Sequence, residues 1–210
     1  WSDRCLVVDA PAEGVSAANA ELTQLDNGTL LLAYNVRAWD NPNRRFALKV
    51  MASSDGGRTW SRRAKVFEAG VTGDRGVWEP IVRQLPSGPL QLYAANEYPY
   101  ADSDDQEITM WRSTDRGRSW SDGTTISYRP GHRDGMPVPL LLNDGGIAMA
   151  IEDNGLGGAF KPAIVRTASV EEAWADAPVG SDSEQRHRAL SADVQLPRPA
   201  YGGAPYLVQF

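Results

Sequence analysis

The sequence predicts an all-β protein built from a four-stranded unit that recurs about every 57 to 60 residues. Its 20 glycines and 14 prolines separate short apolar runs, which favours short strands and turns over long helices. An element with the pattern S-x-D-x-G-x-x-W occurs twice, at positions 53–60 and 113–120. Hairpin turns that contain glycine keep the same spacing, so two independent features share one period.

The repeated element is predicted to be a tight turn. Its aspartate can accept hydrogen bonds from backbone amides, its glycine can adopt a positive φ, and its tryptophan can pack between sheets. The two intact copies place Trp60 and Trp120 at a spacing of 60 residues. A third copy, which has lost the aspartate and the glycine, ends at Trp174, and we interpret Trp1 as the end of a fourth. The two aspartates are therefore expected to be structural.

Hairpins between these copies supply the first two strands, A and B, of each unit. Gly28, Gly88, Gly145 and Gly202 mark the turns, at spacings of 60, 57 and 57 residues. Asn27-Gly28 is the strongest of these signals, because this pair favours a two-residue hairpin turn. The expected hairpins cover residues 21–34, 79–94, 136–151 and 194–210.

Strands C and D flank each copy of the turn and complete the unit. Strand C is expected at 46–52 and 108–112, and strand D at 5–8, 64–67 and 124–127. Four antiparallel strands at this period are typical of a β-propeller blade. The expected divisions are the end of one blade, three full blades and the first half of another, at 1–10, 11–70, 71–128, 129–180 and 181–210.

An arc of about three and a half blades is too short to close, because a propeller needs at least about four. Its open edges would expose unpaired strands. The chain also starts at Trp1, without Met or a signal segment. We therefore expect a portion of a longer polypeptide, whose remaining blades come from the same polypeptide or from a second chain.

Composition argues against several classes of partner and cofactor. The net charge of −6 disfavours nucleic acid, and no apolar run approaches the roughly 18 residues of a membrane span. Cys5 is the only cysteine, so no internal disulfide can form. His132 and His187 lack partners at metal-ligand spacing. We expect neither a metal nor a cofactor.

Propeller geometry selects candidate ligand-binding residues. The loop that enters strand A and the loop that leaves strand B lie on one face, opposite the A–B turn. Glu79 and Glu152 fall on that face, and paired carboxylates are what glycoside cleavage requires. The remaining acids, bases and aromatic side chains there are candidate substrate-binding residues: Glu21, Trp39, Trp78, Glu97, Tyr98, Arg133, Asp134 and Asp153.

The S-x-D-x-G-x-x-W element resembles the Asp box, or BNR repeat, of the sialidase superfamily. That resemblance implies a propeller of six blades when complete, with Asp55 and Asp115 on the outer rim. The stretch from Trp78 to Asn154 is most similar to the exo-acting arabinanases, through Trp78-Glu79-Pro80, Gln106, the run from Arg133 to Met136, and Glu152.

The resemblance to exo-acting arabinanases implies a reaction. An enzyme of this type releases arabinobiose from α-1,5-arabinan with retention, and Glu79 would be the nucleophile and Glu152 the acid/base. A retaining pair has its carboxyl groups about 5 to 5.5 Å apart. A polysaccharide substrate also implies secretion, and the scarcity of cysteine is typical of a bacterial extracytoplasmic protein.

Two other functions remain open at this point. A sialidase would bind the sialic carboxylate with three arginines and use a Tyr–Glu pair with an aspartic acid. Arg133 is the only convincing candidate for that triad, and the Arg-Ile-Pro motif of sialidases does not occur in this sequence. A propeller that binds glycan or protein without catalysis would have the same fold and no close pair of carboxylates.

Overall fold

The computed structural model describes residues 4–38, 45–70, 75–169, 174–175 and 177–209. These residues form three antiparallel sheets of four strands each. The first contains β1 (Ser16–Gln24), β2 (Leu30–Arg37), β3 (Ala47–Ser53) and β4 (Ser61–Glu68). The second contains β5 (Val77–Gln84), β6 (Leu90–Asn96), β7 (Glu107–Ser113) and β8 (Thr124–Ser127). The third contains β9 (Asp134–Leu141), β10 (Ile147–Asp153), β11 (Lys161–Thr167) and β12 (Arg186–Arg188).

Each sheet is a propeller blade. Its strands follow one another in chain order, and every neighbouring pair is antiparallel. The inner strands β1, β5 and β9 contact one another in succession, so the blades stand side by side around a common axis. The predicted all-β fold and the partial propeller are confirmed. Among the described residues, helix is limited to single 3₁₀ turns at Pro11–Glu13, Asn154–Leu156 and Ala192–Val194.

Two apolar layers between the blades hold the arc together. The layer between the first and second blades includes Leu31, Leu48, Leu90 and Trp111, which are almost completely buried. The layer between the second and third includes Tyr93, Ile108, Met149 and Ile151. Each such side chain stabilises the fold by about 1.5 to 3 kcal/mol. Trp174, at the end of the degenerate third turn copy, is buried and donates a hydrogen bond to the Tyr93 hydroxyl at 3.0 Å.

The two S-x-D-x-G-x-x-W turns have the predicted hydrogen bonds. Asp55 accepts bonds from the backbone N–H and the hydroxyl of Thr59, at 2.9 and 2.6 Å. Asp115 accepts the same two bonds from Ser119, at 2.9 and 2.5 Å. These bonds favour the ionised form and hold the pKa of both carboxyls well below the usual range. Both aspartates are therefore structural.

Glycine is required in the second of these turns. Gly117 has a φ of 81°, and a side chain there is strained by about 1 to 2 kcal/mol. We expect Gly117→Ala to lower the free energy of unfolding by that amount in urea denaturation. Gly180→Ala is the matched control, because a β-carbon at Gly180 meets no atom within 4 Å. Equal stability of the two variants would contradict the turn argument.

The structure corrects three expectations at the ends of the chain. Residues 4–9 form no strand, since no described strand lies beside them to pair with, and the strand D expected at 5–8 is wrong. The hairpin expected at 194–210 is also wrong: Pro197, Pro199 and Pro205 lack the N–H that a ladder needs. The third blade continues past the boundary at 180, because its fourth strand is Arg186–Arg188. Trp1 and residues 170–173 lie outside the described residues.

The described part of the chain contains no helix that is both long and apolar enough to cross a membrane.

Candidate active site

Every inner strand carries the same backbone irregularity near its start. The pairing register shifts between Ala18 and Glu21 in β1, between Trp78 and Ile81 in β5, and between Gly135 and Val138 in β9. Each shift inserts one extra residue, which defines a β-bulge. The bulged residues Asn19, Glu79 and Met136 have φ values of 50°, 51° and 47°. The irregularity is therefore part of the repeat.

A fourth copy of this conformation occurs outside the strands. Ala204 has a φ of 52° and is followed by Pro205, as Glu79 is followed by Pro80 and Met136 by Pro137. The four segments line one cavity of about 280 Å³: 19–21, 79–81, 136–138 and 204–206. The bulges thus bring equivalent positions of successive repeats to a single place.

Glu79 and Glu152 lie on either side of one peptide unit of β9. The Glu79 carboxylate accepts a hydrogen bond from the backbone N–H of Met136 at 3.4 Å. The Glu152 carboxylate lies against Gly135, the residue before Met136, since a β-carbon on Gly135 would be 2.9 Å from the Glu152 Oε1. Two neighbouring blades therefore contribute one carboxylate each to the same point.

The electrostatic environment of Glu79 is unusual for a carboxylate. Burial, reinforced by the negative charge of Glu152, raises the pKa of Glu79 to about 7. The Met136 N–H and the positive charge of Arg37 oppose this rise, and Glu97 adds to it. Glu79 can therefore exchange a proton near neutral pH, which general acid/base chemistry requires.

The segment after β12 holds Glu152 from the other side. Oε2 accepts hydrogen bonds from the Tyr201 hydroxyl at 2.9 Å and from the backbone N–H of Ala204 at 3.3 Å. Gly203 packs so closely that a β-carbon there would be 2.2 Å from Oε2. The hydrogen bond to Glu152 is the main cause of a raised pKa for Tyr201. Tyr201 was not identified as a site residue from the sequence. The available signal was Pro205, which aligns with Pro80 and Pro137 and marks a further copy of the bulge shortly after Tyr201.

The raised pKa of Glu79 makes stability depend on pH. Below about pH 4.5 the group is protonated in both the folded and the unfolded chain. The contribution of Glu79 to stability is lost as pH rises through about 7, because the partly buried carboxyl must then ionise. We expect Glu79→Gln to be more stable than the unmodified protein by about 2 to 4 kcal/mol at pH 8, and by less than about 1 kcal/mol at pH 5.

Urea denaturation at the two pH values measures this difference. Glu184→Gln, a change at an exposed glutamate, is the control and should leave stability unchanged at both. A stability difference that does not vary with pH would contradict the environment described for Glu79.

Arg133 and Glu97 form an ion pair between the second and third blades. The Arg133 guanidinium also donates to the side chain of Gln106 at 2.8 Å and to the Asp104 carbonyl at 3.1 Å. Gln106 in turn donates to the Asp134 carbonyl at 2.7 Å. These contacts hold the loop that leads into β9 in place. Arg133 and Glu97 therefore position the Gly135–Met136 peptide.

Asp134 and Asp153 do not fit the predicted substrate-binding role. Both side chains are completely buried and accept hydrogen bonds from Arg186, at 2.5 Å for Asp134 and 2.8 Å for Asp153. Arg129 lies 3.4 Å from Asp153 on the other side. A ligand cannot reach carboxylates enclosed in this way, and we assign both residues to an ion-pair network that joins the blades.

The remaining candidate substrate-binding residues differ in whether they line the cavity or pack against other side chains. Glu21 lines the cavity and lies 4.0 Å from Arg83. Trp78 packs edge-on against Phe46, with ring centroids 5.2 Å apart. Tyr98 packs in the same way against Phe67, at 5.7 Å, and so contributes to contacts between blades. Trp39 lies outside the described residues. Within the described ranges, no group of three or more His, Cys, Asp or Glu side chains could hold a metal ion.

Several solved structures share this fold. An α-L-arabinanase from Penicillium chrysogenum in complex with arabinobiose matches with a TM-score of 0.69 at 22% identity, over 86% of this chain and 52% of that chain. A family 93 α-L-arabinofuranosidase from Fusarium graminearum, also with arabinobiose, matches with a TM-score of 0.68 at 20% identity, with the same coverage. A Hadza microbial sialidase matches with a TM-score of 0.56 at 21% identity, over 76% of this chain and 36% of that chain.

No protein-family profile and no curated protein matches the chain. The chain spans about half the length of the arabinanase and the arabinofuranosidase that it resembles. At these identities the likeness establishes the fold, and that fold is a partial β-propeller of the kind found in glycoside hydrolases.

Proposed function

We propose that the protein containing this chain is a glycoside hydrolase that uses Glu79 and Glu152 as its catalytic pair. The observation that carries the proposal is the convergence of these carboxylates on the Gly135–Met136 peptide, beside a cavity lined by four repeats. Cleavage of a glycosidic bond typically uses two carboxyl groups, one protonated and one ionised.

The environment of Glu79 supports proton-transfer chemistry at this site, and retention is proposed from the resemblance to exo-acting arabinanases. With a pKa of about 7, Glu79 carries a proton in about half of the molecules at neutral pH, because burial and the negative charge of Glu152 both disfavour its ionised form. In retaining cleavage one carboxylate attacks the anomeric carbon and the other carboxyl group protonates the leaving oxygen. Following the resemblance to exo-acting arabinanases, the ionised form of Glu79 is the nucleophile and Glu152 is the acid/base, oriented by Tyr201 and the Ala204 N–H.

The proposed substrate is an arabinan, attacked from its end. The support is the likeness to an arabinanase and an arabinofuranosidase that were each solved with arabinobiose. The remaining blades would come from the rest of the polypeptide or from a second chain, and an extracytoplasmic location suits a polysaccharide substrate.

Assays of the full-length protein on debranched arabinan and on a fluorogenic sialoside test this function. We expect arabinobiose as the product, with its anomeric configuration retained when followed by NMR. Sugar binding without release of any product would instead identify a non-catalytic recognition propeller. Release of sialic acid with no action on arabinan would favour a sialidase, which is the second candidate function.

A sialidase is the second candidate because of one contact. The Tyr201 hydroxyl and the Glu152 carboxylate form a hydrogen-bonded Tyr–Glu pair beside the cavity, the pair of side chains that sialidases use. The surrounding charge argues against it: Arg133 and Arg186 are engaged by carboxylates, and the described lining of the cavity contains no basic residue. Among the described residues, the arginine nearest to the cavity lining is Arg37, and Arg37 is engaged by Asn19 and the Trp78 ring.

A further inference from the structure

We propose that Asn19 is a specificity-determining residue, which donates a hydrogen bond to a hydroxyl group of a neutral sugar bound beside Glu79, and that Arg37 positions it. This inference rests on the proposed function, because it names the sugar class that the same cavity accepts. Asn19 is not among the candidate site residues that the sequence identified.

Asn19 occupies the position in the first blade that Glu79 occupies in the second. Both are bulged residues with nearly the same φ, 50° and 51°, and both line the cavity. Asparagine tolerates this left-handed conformation better than most residues, because its short side chain bonds locally. Asn19 is also exposed, so that a ligand in the cavity can reach its amide.

Arg37 fixes the orientation of that amide. Its Nη2 donates to the Asn19 Oδ1 at 2.6 Å, and an arginine can donate only to the oxygen of an amide. The Asn19 Nδ2 is left with two N–H donors, and within the described part of the chain no group accepts a bond from it. Arg37 is itself held by the ring of Trp78, with 5.5 Å from its guanidinium carbon to the ring centroid.

The other groups around the cavity select against a charged sugar. At the bulge positions of the remaining repeats stand Met136 and Ala204, which offer only apolar side chains. The charged residues of the described lining are Glu21 and Glu79, and both are acidic. An anionic sugar would face these carboxylates, and the nearby Arg37 guanidinium is already engaged by Asn19 and the Trp78 ring, whereas a neutral ring can rest on apolar walls while its hydroxyl accepts from Asn19.

Asn19→Asp tests the donor without removing the side chain. Aspartate keeps the size, the left-handed conformation and the bond from Arg37, but it has no N–H to donate. Calorimetric titration of the full-length protein with arabinobiose should show about tenfold weaker binding, the loss expected for one hydrogen bond. Asn19→Gly, which suits the same φ and adds no charge, should show a similar loss.

Asn27→Asp is the matched control. It makes the same chemical change in the same blade, in the β1–β2 turn at the opposite end of the strands, where Oδ1 accepts from the Thr29 N–H at 3.1 Å. It should bind arabinobiose like the unmodified protein. Arg37→Lys keeps the positive charge but not the fork that holds the amide, and a smaller loss of affinity is expected.

The outcomes separate this inference from the proposed hydrolase activity. If Asn19→Asp and Asn19→Gly weaken arabinobiose binding while arabinan is not cleaved, the sugar site stands and the hydrolase activity falls. Unchanged binding in both variants overturns the role of Asn19. Binding of sialyllactose in place of arabinobiose, or of neither sugar, overturns the assignment to a neutral sugar.

Discussion

Replacing Glu79 or Glu152 by glutamine is expected to lower kcat on arabinan about a thousandfold or more. The two carboxylates flank the Gly135–Met136 peptide, and in the proposed mechanism each has a task that the other cannot take over within one catalytic cycle. Glutamine keeps the shape of the side chain but can neither attack an anomeric carbon nor donate the proton of an acid. The double variant should be no worse than the weaker single one, since the pair acts as a unit.

The measurement is the initial rate of sugar release by the full-length protein, with thermal unfolding recorded for every variant. Glu184→Gln serves as the control, because this exposed glutamate makes the same chemical change outside the cavity. A loss of less than about tenfold in either catalytic variant, with the fold intact, would overturn the assignment of the pair.

Added azide distinguishes the two roles. In Glu79→Ala, azide can take the place of a missing nucleophile and should give the β-glycosyl azide. In Glu152→Ala, azide attacks the glycosyl-enzyme and should give the α-product, because a second inversion restores the configuration. The reverse pattern would exchange the roles of the two residues and leave the pair itself unchanged.

The position of the proposed catalytic pair could be expected from the sequence, because it depends on the phase of the repeat. Glu79 and Glu152 follow from the spacing of the turns and from the rule that strand starts and strand ends share one face. The bulge that turns Glu79 toward the cavity was not predicted, although proline follows the bulged residue in three of the four copies, at positions 80, 137 and 205. A register shift depends on pairing with the neighbouring strand, which a single strand does not reveal.

The surroundings of the other acids could not be read from the sequence. Asp134 and Asp153 satisfy the same positional rule as the catalytic pair, yet they meet Arg186, which is 52 and 33 residues further along the chain. Tyr201 reaches Glu152 from a segment whose prolines interrupt the repeat. The period of the repeat determines on which face of the propeller a residue lies. The side chains that contact the residue there also come from segments that do not follow the repeat, and these contacts cannot be predicted from the period.

The network around Arg186 leads to the second large expected effect. The Arg186 guanidinium is buried and donates to Asp134, to Asp153, to the Ser127 hydroxyl at 2.5 Å, and to the carbonyls of Val179 and Gly180 at 3.1 Å. Because Ser127 ends the second blade and both aspartates belong to the third, one side chain joins two blades.

Arg186→Met is therefore expected to lower the free energy of unfolding by about 3 to 5 kcal/mol, the cost of breaking one side of a buried ion pair. Two carboxylates would remain buried, with Arg129 as the charged partner of Asp153. Arg188→Met is the matched control: this arginine lies on the same strand, is exposed and bonds to Gln195 at 3.1 Å, so its loss should cost less than about 0.5 kcal/mol.

Stability should then recover when the orphaned charges are also removed. Adding Asp134→Asn and Asp153→Asn to Arg186→Met eliminates the uncompensated carboxylates, and most of the loss should be regained. Lowering the pH should have a similar effect on the single variant, because protonation neutralises buried carboxylates that have lost their cation. Urea denaturation at pH 8 and pH 5 measures both effects. If Arg186→Met cost no more than Arg188→Met, the ion-pair network would not be what joins the second and third blades.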